Sequence, residues 1–178
     1  MKKLLAFVSL ALILAGCSSA PKEEPVATPE ITPGEVVDGE GVTGGESVEM
    51  TKLQKAVDSV VNGGQYEFPS FMTVDEPTLK DLYYVLTDDI EDYAIYLPMM
   101  NTQATEIIVI EAKEGKLDVV KEAVAKRMAD IETTWAQYLP DQHELVLNRV
   151  EFEDGNIVGV VISENAEAIA KDIQAALK

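Results

Sequence analysis

Three kinds of side chain in this sequence have types that could do chemistry: one thiol, Cys17, one imidazole, His143, and a crowd of carboxylates. Hydrolysis by a serine nucleophile needs a base held against the hydroxyl. His143 is the one imidazole, it stands between Asp141 and Glu144 shortly after a proline, and no Gly-x-Ser-x-Gly turn occurs in the chain. It reads as a surface or half-buried histidine. Asp88, Asp89, Glu91 and Asp92 form the densest acidic group. A calcium loop of the EF-hand kind needs acidic or amide residues at alternate positions followed by a glycine, and Ile90 interrupts that series, so a solvated turn leading into a strand is expected. Glu151, Glu153 and Asp154 fit the outward face and turn of a hairpin in the same way. Carboxylate pairs could serve glycoside hydrolysis. With 24 acids from Met50 onward such pairs arise by chance, and the sole tryptophan, Trp135, lies on an apolar helix stripe rather than on a sugar-stacking platform. No catalytic residue, metal ligand set or cofactor is expected.

The thiol is different because of what precedes it. Met1, Lys2 and Lys3 make a cationic start, residues 4–15 are an apolar run, and small residues lead into the cysteine. Twelve helical residues span about 18 Å against a hydrocarbon core of about 30 Å, too short for a stable membrane span, so residues 1–16 read as an export signal. Leu14, Ala15, Gly16 and Cys17 resemble the lipobox of bacterial lipoproteins, in which the sulfur is alkylated by a diacylglyceryl group and the peptide is cut just before the cysteine. A residue carrying more than one acyl chain meets the requirement for stable anchoring that a single chain does not. The resemblance implies membrane attachment through lipidated Cys17 and a location on the extracytoplasmic face. Cys17 is also the only cysteine, which leaves none for disulfides or thiolate metal sites.

Loss of residues 1–16 removes two lysines and takes the net charge from −18 to −20. So acidic a chain is not expected to bind nucleic acid, whose phosphates require clustered Lys and Arg. Residues 18–49 hold four prolines, five glycines, eight acids and no aromatic side chain. That composition cannot build a core and, with Cys17, reads as a lipidated acidic tether over residues 17–49, with a reach of about 30 Å.

From residue 50 to residue 178 the periodicity changes to that of one globular domain. Thr51 with Gln54 predicts a capping box before a helix carrying Leu53, Ala56, Val57, Val60 and Val61, stopped at Asn62, Gly63 and Gly64. Asp75 before Glu76 and Pro77 predicts a second helix with Leu79, Leu82 and Leu86 inward. Residues 89–97 alternate as a strand closed by Pro98, and residues 106–113 form another. A long amphipathic helix is expected over 116–138, then a short one from Pro140 through Leu147. Residues 149–153 and 156–162 read as a hairpin turning at Asp154 and Gly155, and Ser163 as the cap of a last helix. Strand, strand, helix, strand, strand, helix predicts an α+β two-layer sandwich of about four antiparallel strands with helices packed on one face.

Several stretches together resemble an uncharacterised family of Gram-positive lipoproteins, domain of unknown function 4358. They are residues 93–101 (Tyr93 to Asn101), 104–107 (Ala104, Thr105, Glu106, Ile107), Lys126 with Arg127, 138–142 (Tyr138 to Gln142) and 155–158 (Gly155 to Val158). The family commonly has an aromatic where His143 and Ile157 stand. The resemblance implies a lipid-tethered extracellular domain and carries no activity with it.

If the domain has an interaction site, Tyr96, Leu97, Pro98, Met99, Met100 and Asn101 make an unusually apolar loop for one, together with Tyr138, Leu139 and Pro140, because methionines adapt to varied partners. The alternative is that Met99 and Met100 fold back over the sheet edge. The expected function is therefore a non-enzymatic, membrane-anchored domain that binds an envelope protein or cell-wall component. A small-ligand or cation-binding lipoprotein is the alternative, and an enzyme the third reading.

Overall fold

The computed structural model describes residues 49–178, so the expectations for Leu14, Ala15, Gly16, Cys17 and the tether lie outside the described residues. Helix α1 (Lys52–Val61) starts as expected, with the Thr51 hydroxyl accepting from the Gln54 N–H and the Gln54 side chain accepting from the Thr51 N–H. Strand β1 (Phe71–Thr73) and helix α2 (Glu76–Tyr83) follow, then a single 3-10 turn, Thr87–Asp89. The carboxylate of Asp75 caps α2 at the Thr78 N–H. Strands β2 (Ile90–Pro98) and β3 (Glu106–Ala112) lead to α3 (Leu117–Trp135) and α4 (Pro140–Leu147), and β4 (Val150–Asp154), β5 (Ile157–Ile162) and α5 (Ala166–Ala176) complete the domain.

The chain forms the expected α+β sandwich around an antiparallel sheet, with five strands in the order β1-β2-β3-β5-β4. The fifth is β1, whose three residues are too few to show a period. Central β3 buries Ile107, Ile108, Val109 and Ile110 at successive positions. Side chains on a strand alternate between faces, so such a run needs cover on both. Ile108, Ile110, Val158, Val160 and Ile162 pack with α2, α3 and α4 through Leu79, Val120, Val124, Met128, Ile131, Trp135 and Val146. Ile107, Val109 and Val161 pack with α1 and α5 through Leu53, Val57, Ile169, Ala170 and Ile173. Each face is thus a sheet-on-helix sandwich, and the second helical layer is what the apolar run of β3 requires.

Local departures from expectation have local causes. Leu86 is exposed because α2 ends at Tyr84, whose φ of 61° turns the chain out of the helix. The long helix stops at Trp135 rather than Tyr138. Asp154 pairs with Ile157, so the hairpin turns on Gly155 and Asn156, with Gly155 at φ +62° supplying the positive angle a two-residue turn needs. Ser163 is not the cap of α5; Asn165 holds that position, and the Ser163 hydroxyl accepts from the Asn165 N–H just before the helix. On β5, Gly159 lies under the Phe152 ring, where a Cβ would come within 2.1 Å of it.

Candidate functional site

The residues singled out for an interaction surface do not all lie together. Tyr96 is buried on the α1/α5 face, its hydroxyl donating to Asp58 Oδ1 at 3.1 Å and its ring edge-on to Phe71. It belongs to the core and not to an exposed loop, because alternation along β2 turns it under α1. Pro98 is half-buried at the end of β2, opposite Phe71. Beyond it the side chains emerge: Met99 is 64% and Met100 57% exposed, and Asn101 is exposed. Met72 on β1, 46% exposed, sits opposite Leu97, and the Met99 N–H donates to the Ser70 carbonyl at 2.9 Å. Met72, Met99 and Met100 are thus exposed on neighbouring backbone at the β1 end of the sheet. Met99 and Met100 project outward and do not fold back over the edge.

The loop that carries them is fastened at its far end. Ala104 donates its N–H to Gln142 Oε1 on α4 at 2.8 Å, which links the loop to the helix that Pro140 opens. Tyr138, 54% exposed, leans on Trp135 with ring centroids 5.8 Å apart, and Pro140 is exposed at the start of α4.

Two residues further along, Glu106 opens β3 inside the core and is buried. Arg127 of α3 reaches it twice, Nη2 to Oε2 at 2.8 Å and Nε to Oε1 at 3.3 Å, and the Tyr83 hydroxyl of α2 donates to Oε1 at 2.7 Å. The guanidinium also lies over the Tyr83 ring, 4.9 Å from its centroid. Burial and the neighbouring carboxylate push the Tyr83 hydroxyl far above its ordinary range. Burial opposes the charge on Arg127, but Glu106 outweighs it and keeps the guanidinium ionised. Among the described residues no buried side-chain nitrogen or oxygen of this group lacks a partner. Its signal in the sequence was an acid heading an isoleucine run and an arginine on the apolar stripe of α3 between Val124 and Ile131.

Two of the four carboxylates near β2, those of Asp89 and Asp92, have partners. Asp89 pairs with Lys116 at 2.7 Å, the Thr87 and Asp88 carbonyls accept from Lys113 Nζ, and Asp92 accepts from the Tyr93 N–H. The hydrogen bond to Asp89 raises the Lys116 pKa. Among the described residues no three His, Cys, Asp or Glu side chains converge on a point where a metal ion could sit. His143 is half-buried against Ala129, Glu132, Thr133 and Ala136. No helix among the described residues is long and apolar enough to cross a membrane.

A groove that the sequence did not announce runs between α1 and the β2 edge. It encloses about 490 Å³ and is lined by Met50, Gln54, Asp58 and Asn62 from one side of α1 and by Val74, Tyr93 and Tyr96 opposite.

Residues 65–163, more than half of the chain, match the family model described as Domain of unknown function (DUF4358). The match takes in all five strands with α2, α3 and α4, while α1 and α5 lie outside it. No curated protein and no solved structure matches the chain.

Proposed function

The chain belongs to the DUF4358 family, and from that premise we propose that it is a lipid-anchored, non-enzymatic binding protein on the extracytoplasmic face of a Gram-positive cell membrane. In this reading Cys17 carries the lipid, residues 18–49 hold the domain away from the bilayer, and the methionine corner meets an envelope protein. The observation that carries it is the corner itself: Met72, Met99 and Met100 are each exposed on neighbouring backbone, which is held by the Ser70 carbonyl just before β1 and by Gln142 of α4. Exposed apolar side chains gathered on a rigid base are what a protein interface uses. The pairing of Glu106 with Arg127 and Tyr83 supports a structural rather than a catalytic part for that buried acid.

The test is a photo-crosslinking residue placed at Met100 in the full chain in its own cells, with Gln137 as an exposed control position. Neighbours captured from Met100 and not from Gln137 are expected; identical captures from both overturn the assignment of the corner. Mass analysis of the native protein is expected to find a diacylglyceryl group on Cys17, and an unmodified thiol there overturns the anchoring. Cation binding at Asp88, Asp89, Glu91 and Asp92 has no such support, since Asp89 is held by Lys116 and Asp92 by the Tyr93 N–H, and no three of these side chains converge. The small-ligand alternative is favoured by one observation, the groove beside α1.

A further inference from the structure

The folded domain has no thiol of its own. No cysteine occurs among the described residues, and the one tryptophan, Trp135, is buried. The methionine thioethers are therefore the groups of the domain that a two-electron oxidant meets first. Five methionines lie among the described residues, and the fold sorts them sharply. Met128 is 2% exposed, in the core layer that also holds Val124 and Ile131. Met99 and Met100 are more than half exposed and Met72 nearly so, while Met50, ahead of α1, is 37% exposed.

Oxidation means different things at these places. An oxygen added to Met128 would lie among aliphatic side chains, and burying an unpartnered polar group opposes folding. An oxygen added to Met72, Met99 or Met100 faces water, and the bonds that hold their backbone, to the Ser70 carbonyl and to Gln142, involve no thioether. The fold is left as it was. What changes is the surface, because a flexible apolar side chain becomes a polar one. A partner covering the corner must then strip water from each sulfoxide oxygen.

We propose that Met72, Met99 and Met100 form an oxidation switch, in which a peroxide turns the corner polar and releases the protein bound there. In each step one oxygen of hydrogen peroxide bonds to a thioether sulfur, which gives up two electrons, and the O–O bond breaks so that the other oxygen leaves as water. A dithiol reductase reverses the step: the sulfoxide oxygen leaves as water and the dithiol becomes a disulfide. The switch rests on the reading of the corner as a binding surface, and the test separates the two.

The full lipidated chain carries a photo-crosslinking residue at Asn101, which is exposed beside the corner and leaves the three thioethers in place. It is treated with hydrogen peroxide in neutral detergent, freed of peroxide with catalase, and returned to membranes of cells that lack it, so that the partner itself is never oxidised. Peptide mapping is expected to find sulfoxide at Met72, Met99 and Met100 while Met128 reacts about tenfold more slowly. Capture of the specific neighbour is expected to fall about tenfold, to return after reduction by reductases for both sulfoxide epimers, and to fall equally in Met50→Leu. The melting temperature of the oxidised chain is expected to stay where it was. No specific capture by the untreated chain overturns the reading of the corner and the switch with it. Capture that survives oxidation of all three, a loss absent from Met50→Leu, sulfoxide at Met128 as early as at the corner, or a melting temperature that falls together with capture overturns the switch alone.

Discussion

The two faces of the sheet are built on different principles. The face under α2, α3 and α4 lies within the family match and holds a buried ion pair, Glu106 with Arg127, keyed to the Tyr83 hydroxyl. The face under α1 and α5 is covered by helices outside the match, and its centre is wholly apolar, with a chain of aromatic rings from Tyr66 through Phe68 and Phe71 to Tyr96 at its rim. A charged core is sensitive to the identity of particular partners, whereas an apolar one is sensitive to volume. The contrast also divides the surfaces: the methionine corner is set on elements within the match, and the groove beside α1 is lined in part by a helix outside it.

The largest effect should come from breaking the ion pair. Glu106→Ala or Arg127→Ala strands a buried charge, and about 4 kcal/mol of stability should be lost in urea denaturation. The triple variant Glu106→Leu, Arg127→Met and Tyr83→Phe should recover most of that loss, because removing both charges and the hydroxyl that donates to Glu106 leaves no buried polar group unpaired. Additive losses in the triple variant would contradict the contrast between the faces. A volume defect on the other face comes next. Ile169→Ala removes a fully buried side chain of α5 and should cost about 3 kcal/mol, with no second substitution of charge able to restore it. Preserved stability in this variant would mean that α5 is not part of the cooperative core.

The smallest effect is on alkaline titration. Tyr96 ionises at about 12 in the fold against 10.0 for the free group, through burial and the nearby Asp58. A phenol whose pKa is raised on folding contributes stability that is complete below its unfolded pKa and is lost as the pH rises through the folded one. Stability should therefore fall between pH 10 and 12, and the fall should be smaller in Tyr96→Phe when denaturation is compared at about pH 9 and about pH 11. The same fall in both proteins would mean that the phenol does not report on this face. Tyr66, Tyr83, Tyr84 and Tyr93 are raised as well and share in the part that remains.

Much of this architecture was legible from spacing alone. The capping box at Thr51 and Gln54, the Asp75 cap and the start of α4 at Pro140 were all readable, because each rests on bonds within four residues. What escaped was set by partners distant in sequence. Three residues of β1 become a strand through Tyr96, Leu97 and Pro98, and Tyr96 is core because α1 returns over it. Arg127 stands on the apolar stripe of α3, but its partner is named only when the fold brings Glu106 to it. The same holds for the candidate sites. The apolar loop at Met99 and Met100 was visible in composition, but its companion Met72 and the groove beside α1 depend on where β1 pairs along β2.

Glu106 has a further consequence for how the chain finds its alignment. Sliding β3 by one residue against its neighbours would exchange its two faces and turn this carboxylate toward α1 and α5, where no buried basic side chain stands among the described residues. Isoleucine and valine at four successive positions would tolerate that slip, since either face accepts them. The lone acid does not, and so a strand that is otherwise ambiguous about its two sides can dock in one way only.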